Sequence, residues 1–193
     1  MQGLEAAKQA VVENPDAEVV AEIPFLATDQ DFSSQAQRIV ASNPDVVMMF
    51  TTPKPAASLR KELYKINATD MHFMVSSTGG SDPNQFNMAG EEAWEGVISS
   101  TALPFPEDSD DPDMKKYLDK FQHQPQLIGS LTQSGWAVAQ IFVEALKRTG
   151  EELTWDKFIQ ALETFDNWDG SILPSVTYTS ENRYGVTSLM MMK

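Results

Sequence analysis

Asn43-Pro44-Asp45-Val46-Val47-Met48-Met49-Phe50-Thr51-Thr52-Pro53 decides how this chain is to be read. Five consecutive apolar residues, Val46 to Phe50, leave no polar face, and a strand apolar on both sides belongs inside a parallel sheet. The flanks carry the complementary signals. Asn43-Pro44 halts a preceding helix, because the residue before a proline is pushed out of the helical region. Thr51-Thr52-Pro53 turns into a following helix, with Pro53 or Pro55 suited to its first turn. Helix, buried strand and helix within about thirty residues is the grammar of a βαβ unit.

Working outward, the same alternation continues in both directions. Towards the N-terminus, Gly3 to Glu13 reads as a helix with Leu4, Ala7 and Val11 on one face, and Glu18 to Pro24 as a strand rich in β-formers. Phe32 to Ala41 follows as a helix that Asp31 or Ser33 is placed to cap. Towards the C-terminus come a helix to about Ile66, a strand at Met71 to Ser76, a glycine-bearing loop at Ser77 to Pro83 and a strand at Gly96 to Ala102. The character then changes. Pro104 to Asp113 is acidic, and three helices follow at Asp113 to Gln122, Thr132 to Arg148 and Thr154 to Glu163, with Gly150 where a helix-ending glycine belongs. Trp168 to Thr179 and Tyr184 to Met192 read as closing strands. The exposed apolar run Leu189 to Met192 is expected to pair, since an open apolar edge invites aggregation.

Composition narrows the function. The 193 residues carry a formal net charge of −14, which argues against nucleic acid and anionic membrane surfaces as partners. With no cysteine, disulfides, thiolate zinc sites and cysteine nucleophiles are excluded. No apolar run approaches a membrane span. Met1-Gln2-Gly3-Leu4-Glu5 has no basic start and apolar core, so no signal peptide is read; the protein is cytoplasmic or its leader has been removed.

In open α/β sheets ligands bind beyond the carboxyl ends of the strands. Here those ends are Pro24 to Asp31, Phe50 to Lys54, Ser76 to Asp82 and Leu103 to Glu107. The second and third hold the candidate ligand-binding residues Thr51, Thr52, Pro53, Ser76, Ser77 and Thr78. Hydroxyls donate and accept, and beside the open amides of a helix start they suit a carboxylate or another small polar anion. The plainer reading is that these Ser and Thr residues cap and turn the chain.

Other constellations carry less. Asp108, Asp110 and Asp113 resemble a calcium loop only loosely: the sixth-position glycine is missing and Pro112 interrupts, so Asp111 reads as a helix cap with Pro112 first in the helix. His72 and His123 lack partners at ligand spacing, no HExxH, GxSxG or Walker sequence occurs, and no metal, cofactor or catalytic residue is assigned. Gly79-Gly80 begins no phosphate-binding motif. Asn67-Ala68-Thr69 is a glycosylation sequon by pattern. Trp94, Trp155 and Trp168 read as packing residues.

The order of segments resembles that of type I periplasmic solute-binding proteins, the receptors for branched-chain amino acids and related solutes that feed ABC transporters. Asp31-Phe32 followed by Ile39-Val40-Ala41-Ser42-Asn43-Pro44-Asp45-Val46-Val47 is similar to the "tDF…i…pDvv" stretch of that family. Gly3-Leu4-Glu5-Ala6-Ala7, Gly90…Glu95-Gly96-Val97, Tyr117-Leu118…Phe121, Ser134-Gly135-Trp136-Ala137…Ala145-Leu146…Gly150, Trp168-Asp169-Gly170 and Tyr184-Gly185-Val186 resemble its other segments in the same order, with Trp136 near the place of a usual Tyr. The resemblance implies an α/β fold class: the parallel-sheet lobe of a type I periplasmic-binding-protein fold, followed by helices that would belong to a first lobe missing from this sequence. On that reading residues 1–103 form the second-lobe domain, 104–131 an acidic loop and crossover helix, 132–167 helices of the truncated first lobe, and 168–193 the closing strands.

The resemblance also implies a role. The chain would be the solute-binding component of an ABC-type uptake system for amino acids or similar small polar solutes. It would lie in the periplasm or outside the cell, be lipoprotein-anchored in some full-length forms, and partner a membrane permease. Ligand contacts would fall on Thr51, Thr52 and Pro53 and on Ser76, Ser77 and Thr78. Family receptors for amino acids often place an aromatic or acidic group there; this sequence has neither. A sensory ligand-binding domain of the same shape and a flavodoxin-like enzyme domain are the rival readings. With one lobe missing, weak solute affinity is expected. A homodimer is expected through the stripe Val138, Ile141, Phe142, Ala145 and Leu146.

Overall fold

The computed structural model describes residues 2–26, 28–106 and 110–193. Asp108 of the calcium-loop pattern and Glu107 of the fourth strand end lie outside the described residues. The chain divides into two compact units, one of residues 1–100 with 191–193 and one of residues 101–190.

In the first unit, α1 (Gln2–Val12) and α2 (Ser33–Ser42) precede β1 (Val46–Met49), α3 (Pro53–Lys65) and β2 (His72–Val75). Three short helices follow, α4 (Ser77–Gly80), α5 (Asn84–Ala89) and α6 (Glu91–Trp94), and then β3 (Ser99–Thr101). β1 and β2 are parallel, with Val46 opposite His72 and Met49 opposite Val75. Ile98 extends the parallel order on the far side of β2: its N–H donates to Phe73 O, and its O accepts from Val75 N–H, each at 2.9 Å. β3 pairs with β4 (Met190–Met192).

Side-chain alternation explains the packing. Phe73 and Val75 of β2 and Met49 of β1 are buried with Phe32, Ile39, Leu59, Leu63, Trp94 and Val97, so helices α2, α3 and α6 cover one face of this sheet. The local stops are those expected from the sequence. Asn43 closes α2 in the left-handed conformation (φ 46°), one that Asn tolerates better than most residues, and Asn67 does the same after α3 (φ 55°).

Two expectations need correction. Glu18 to Pro24 forms no strand. It has no regular secondary structure, with Val19 and Val20 exposed, and Ile23 and the adjoining Phe25 pack on the core, the latter with its ring 5.7 Å from that of Phe32. β-Propensity measures fit to a half-buried pleated surface, and it cannot supply the partner strand. As a consequence, among the described residues β1 is paired with β2 alone and is not the middle of a sheet. Its second face stays open, with Val46 43% and Met48 50% exposed.

The second unit contains α7 (Pro112–Phe121), a 3-10 turn at Pro125–Leu127, α8 (Ser130–Thr149) and α9 (Trp155–Leu162). Asp111 caps α7, its Oδ1 accepting from Asp113 N–H at 2.6 Å and Met114 N–H at 3.4 Å, and Pro112 begins the helix. Such a cap stabilises a helix by about 1 kcal/mol. Tyr117 is buried between α7 and α8, and its hydroxyl lies 2.7 Å from Thr132 Oγ1. Arg148 near the end of α8 donates to Thr164 O and Oγ1, both at 3.0 Å, and to Glu144, with its guanidinium 4.2 Å from the Phe165 ring centre. Gly150 ends α8 at φ 76°.

The stripe on α8 divides. Ile141 and Ala145 turn inward onto Phe165 and Val176, whereas Val138 is 62% and Phe142 51% exposed. Residues 168–189 hold only an isolated antiparallel bridge between Trp168 and Val176, so the two closing strands reduce to that bridge and to β4. Of the tryptophans assigned to packing, Trp94 is buried but Trp155 is 76% exposed.

Candidate functional site

The loops after β1 and β2 meet. Parallel pairing brings both strands to an end at the same level, Met49 opposite Val75, and Ser76 N–H donates to Met49 O at 2.9 Å. Thr51 and Ser76 therefore face each other. Thr51 N–H donates to Ser76 Oγ, and Ser76 O–H donates to Thr51 O, both at a long 3.4 Å. Gly79 lets α4 press against this junction: a Cβ at that position would sit 2.6 Å from Thr51 O.

The hydroxyls are not spent as helix caps. Thr52 is the residue before α3 and Ser76 the residue before α4, and neither side chain makes a capping bond. Thr52 and Thr78 are exposed, while Thr51, Pro53, Ser76 and Ser77 are half-buried. The structure thus brings Thr51 and Ser76 into contact, with Thr52 and Pro53 following the first and Ser77 and Thr78 the second. The amides differ from the sequence expectation. Proline stands at the first and third positions of α3, so Lys54 alone offers an N–H among its first three residues.

Two further residues belong to this edge and were missed from sequence. Lys54 extends from the first turn of α3 and donates to Gln30 Oε1 at 2.8 Å, which draws the loop before α2 towards the hydroxyl loops. Gln85 on α5 is fully buried, and its Nε2 donates to Pro53 O at 3.1 Å and to Gly79 O. Lys54 follows the Thr-Thr-Pro signal directly and could have been found there. A glutamine in a six-residue helix carries no signal of its own.

Elsewhere, Asp31 accepts from the Ser33 hydroxyl at 2.6 Å and from its N–H at 2.8 Å, and these bonds hold its carboxyl below the usual range. Arg60 is buried on α3 with its Nε donating to Ala93 O at 2.6 Å, and burial lowers its pKa. A cleft of about 340 Å³ opens on the second unit between Trp136, Val143, Lys147 and Trp168. The Glu144 on its wall is ion-paired with Arg148 at 3.0 Å, so this cleft offers little free chemistry. Among the described residues, no three acidic or histidine side chains are placed to hold a metal ion, and no helix is long and apolar enough to cross a membrane.

A parallel α/β unit with polar loops gathered at its strand ends is the architecture of a periplasmic binding protein. The chain belongs to that family: the family described as "Periplasmic binding protein" matches residues 1–193, and its structural relatives are of type I. It is similar in fold to a solute-binding protein of an ABC transporter from Rhodopseudomonas palustris, solved with 4-hydroxybenzoate (19% identity, 98% of this chain and 51% of that one, TM-score 0.78). It is similar also to a fatty acid ABC transporter substrate-binding protein from Thermomonospora curvata (23%, 88% and 44%, TM-score 0.74). A third similar structure is a leucine-binding protein from Thermotoga maritima (19%, 89% and 47%, TM-score 0.71). The chain spans about half the length of these structures. No curated protein matches it.

Proposed function

We propose that this chain supplies one wall of the solute site of an ABC-type uptake receptor acting outside the cytoplasm, and that the solute carries a carboxylate. The observation that carries the reading is the Thr52 hydroxyl, which makes no capping bond, standing beside the Thr51–Ser76 junction where two adjoining segments leave a parallel sheet. Thr51, Ser77 and Thr78 extend the donor set. Lys54 supplies a cation engaged with a neutral amide rather than with an acid. The net charge of −14 would repel an anion at long range, but salt screens that field beyond roughly 8–10 Å, so the local donors decide. The ligands named for the three similar structures, leucine, a fatty acid and 4-hydroxybenzoate, have a carboxylate as their common polar group, on differing apolar bodies. In the complete receptor this wall would close against an opposing one by a hinge motion and present the loaded protein to a permease. An amino acid is one such solute, although no acidic side chain stands among these six residues to meet its ammonium.

The test is titration of the 15N-labelled chain with leucine, octanoate and 4-hydroxybenzoate. At least one should shift the amides of Thr51, Thr52, Lys54 and Ser76 to Thr78, its methyl ester should not, and Lys54→Met should weaken the response about tenfold, the scale of a lost charged hydrogen bond. If none of the three moves these amides at millimolar concentration, or the ester binds as well as the acid, the reading is wrong.

We also propose that the chain self-associates through α8 and α9. Leu131, Val138 and Phe142 of α8 and Trp155 of α9 are exposed, and apolar surface concentrated in this way marks an interaction face.

A further inference from the structure

We propose that Gln85 is the positioning residue of the hydroxyl site: its side-chain amide ties the segment after β1 to the segment after β2 and so sets the spacing between Thr51–Thr52 and Ser77–Thr78. The inference rests on the site reading given above. A primary amide has two N–H groups. Gln85 directs its nitrogen at Pro53 O, in the first turn of α3 where the segment after β1 leads, and at Gly79 O, in α4, which follows β2. The orientation of the amide follows from chemistry, because turning it over would set its oxygen against two carbonyl oxygens. Ser76 N–H holds the strand ends together at Met49 O (2.9 Å), but beyond the strands the link of Thr51 with Ser76 is long at 3.4 Å in both directions. Gly79 provides the close approach, with no Cβ to push against Thr51 O, and Gln85 provides the attachment that holds it. Fully buried, Gln85 acts on a solute only through the loops it joins.

Two variants separate attachment from space-filling. Gln85→Met keeps the volume and loses both donors. Gln85→Leu likewise loses both donors with a smaller, apolar side chain, so it gives the same readout should the first variant fail to fold. Native-state hydrogen exchange is measured at Thr51, Gly79, Gly80 and Ser81, with Val75 and Ile98 in the sheet as reference, and the 4-hydroxybenzoate titration is repeated. Exchange about tenfold faster at the loop amides, with Val75 and Ile98 unchanged, is the expected result. Unchanged loop exchange in Gln85→Met, or an equal rise at Val75 and Ile98, would show a packing role only and overturn the proposal. Loss of loop protection with an unaltered 4-hydroxybenzoate response would overturn it too, since the spacing would then not govern the site. A wild-type chain that ignores all three carboxylates sinks the solute reading instead, and the exchange data still decide whether Gln85 joins the loops.

Discussion

Replacing Gly79 with alanine tests whether the two hydroxyl loops are truly pressed together. Taken locally, the change should help, because alanine in place of glycine within a helical turn gains about 0.5–1 kcal/mol. The tertiary contact opposes it. The new Cβ would lie 2.6 Å from Thr51 O, 3.0 Å from Val75 Cγ1 and 3.2 Å from Thr51 C. Two of these atoms are backbone and cannot swing aside, so the loops must separate, and overpacking of this kind costs about 1–3 kcal/mol. The net expectation is a loss of about 1 kcal/mol from the first unit, within a range of about 0–2.5 kcal/mol. Gly135→Ala is the control. That glycine lies inside α8 with nothing within 4 Å of its missing Cβ, so alanine should stabilise the second unit by about 0.4–1 kcal/mol. Native-state hydrogen exchange reads both: at Val75 and Ile98 for the first variant, and at Ala137 and Ile141 for the second. A change of about 1 kcal/mol alters exchange roughly fivefold, so the expected outcome is opposite signs at the two sites. If both variants stabilise, the approach of α4 to Thr51 does not exist as described and the site geometry built on it falls.

Three further outcomes follow from the packing. Arg148→Lys should lower the stability of the second unit by about 1–2 kcal/mol in urea unfolding, since lysine cannot donate from a planar fork to Thr164 and Glu144 while lying over Phe165; a neutral result would show that these bonds add nothing. Asp31 should titrate below an ordinary aspartate in a carbon-detected NMR titration. Because its folded pKa is depressed, its contribution is complete above the unfolded value of about 4 and is lost as pH falls through the folded one; Ser33→Ala should return the titration towards the normal position. Light scattering should find self-association that weakens with dilution and disappears in Val138→Lys/Phe142→Lys; a monomer at all concentrations would refute the α8 face.

Much of the first unit was legible because its signals are local. Val46 to Phe50, Asn43-Pro44 and Thr52-Pro53 each act within a few residues, and β1, the end of α2 and the start of α3 fall where those residues place them. Asp111-Pro112 behaves likewise at α7. The misreadings involve partners distant along the chain. Glu18 to Pro24 has the composition of a strand but no neighbour to pair with. The apolar stripe of α8 could not reveal that Ile141 and Ala145 face Phe165 while Val138 and Phe142 face outward. In the candidate site, the hydroxyls at Thr51–Thr52 and Ser76–Thr78 were visible as residues following strands, whereas their mutual contact was not.

The linear pattern was enough for the alternation around β1, α3 and β2, the parallel sense of that pair and the places where its strands give way to hydroxyl-bearing segments, because capping, proline geometry and hydrophobic runs are short-range effects. Only the tertiary structure decided that Gly79 rests on Thr51, that Gln85 bridges two segments and that Lys54 draws in Gln30. Those depend on which atoms come within a few ångströms after the chain has folded, and residues 32 positions apart, such as Gln85 and Pro53, leave no mark of that proximity in a linear pattern.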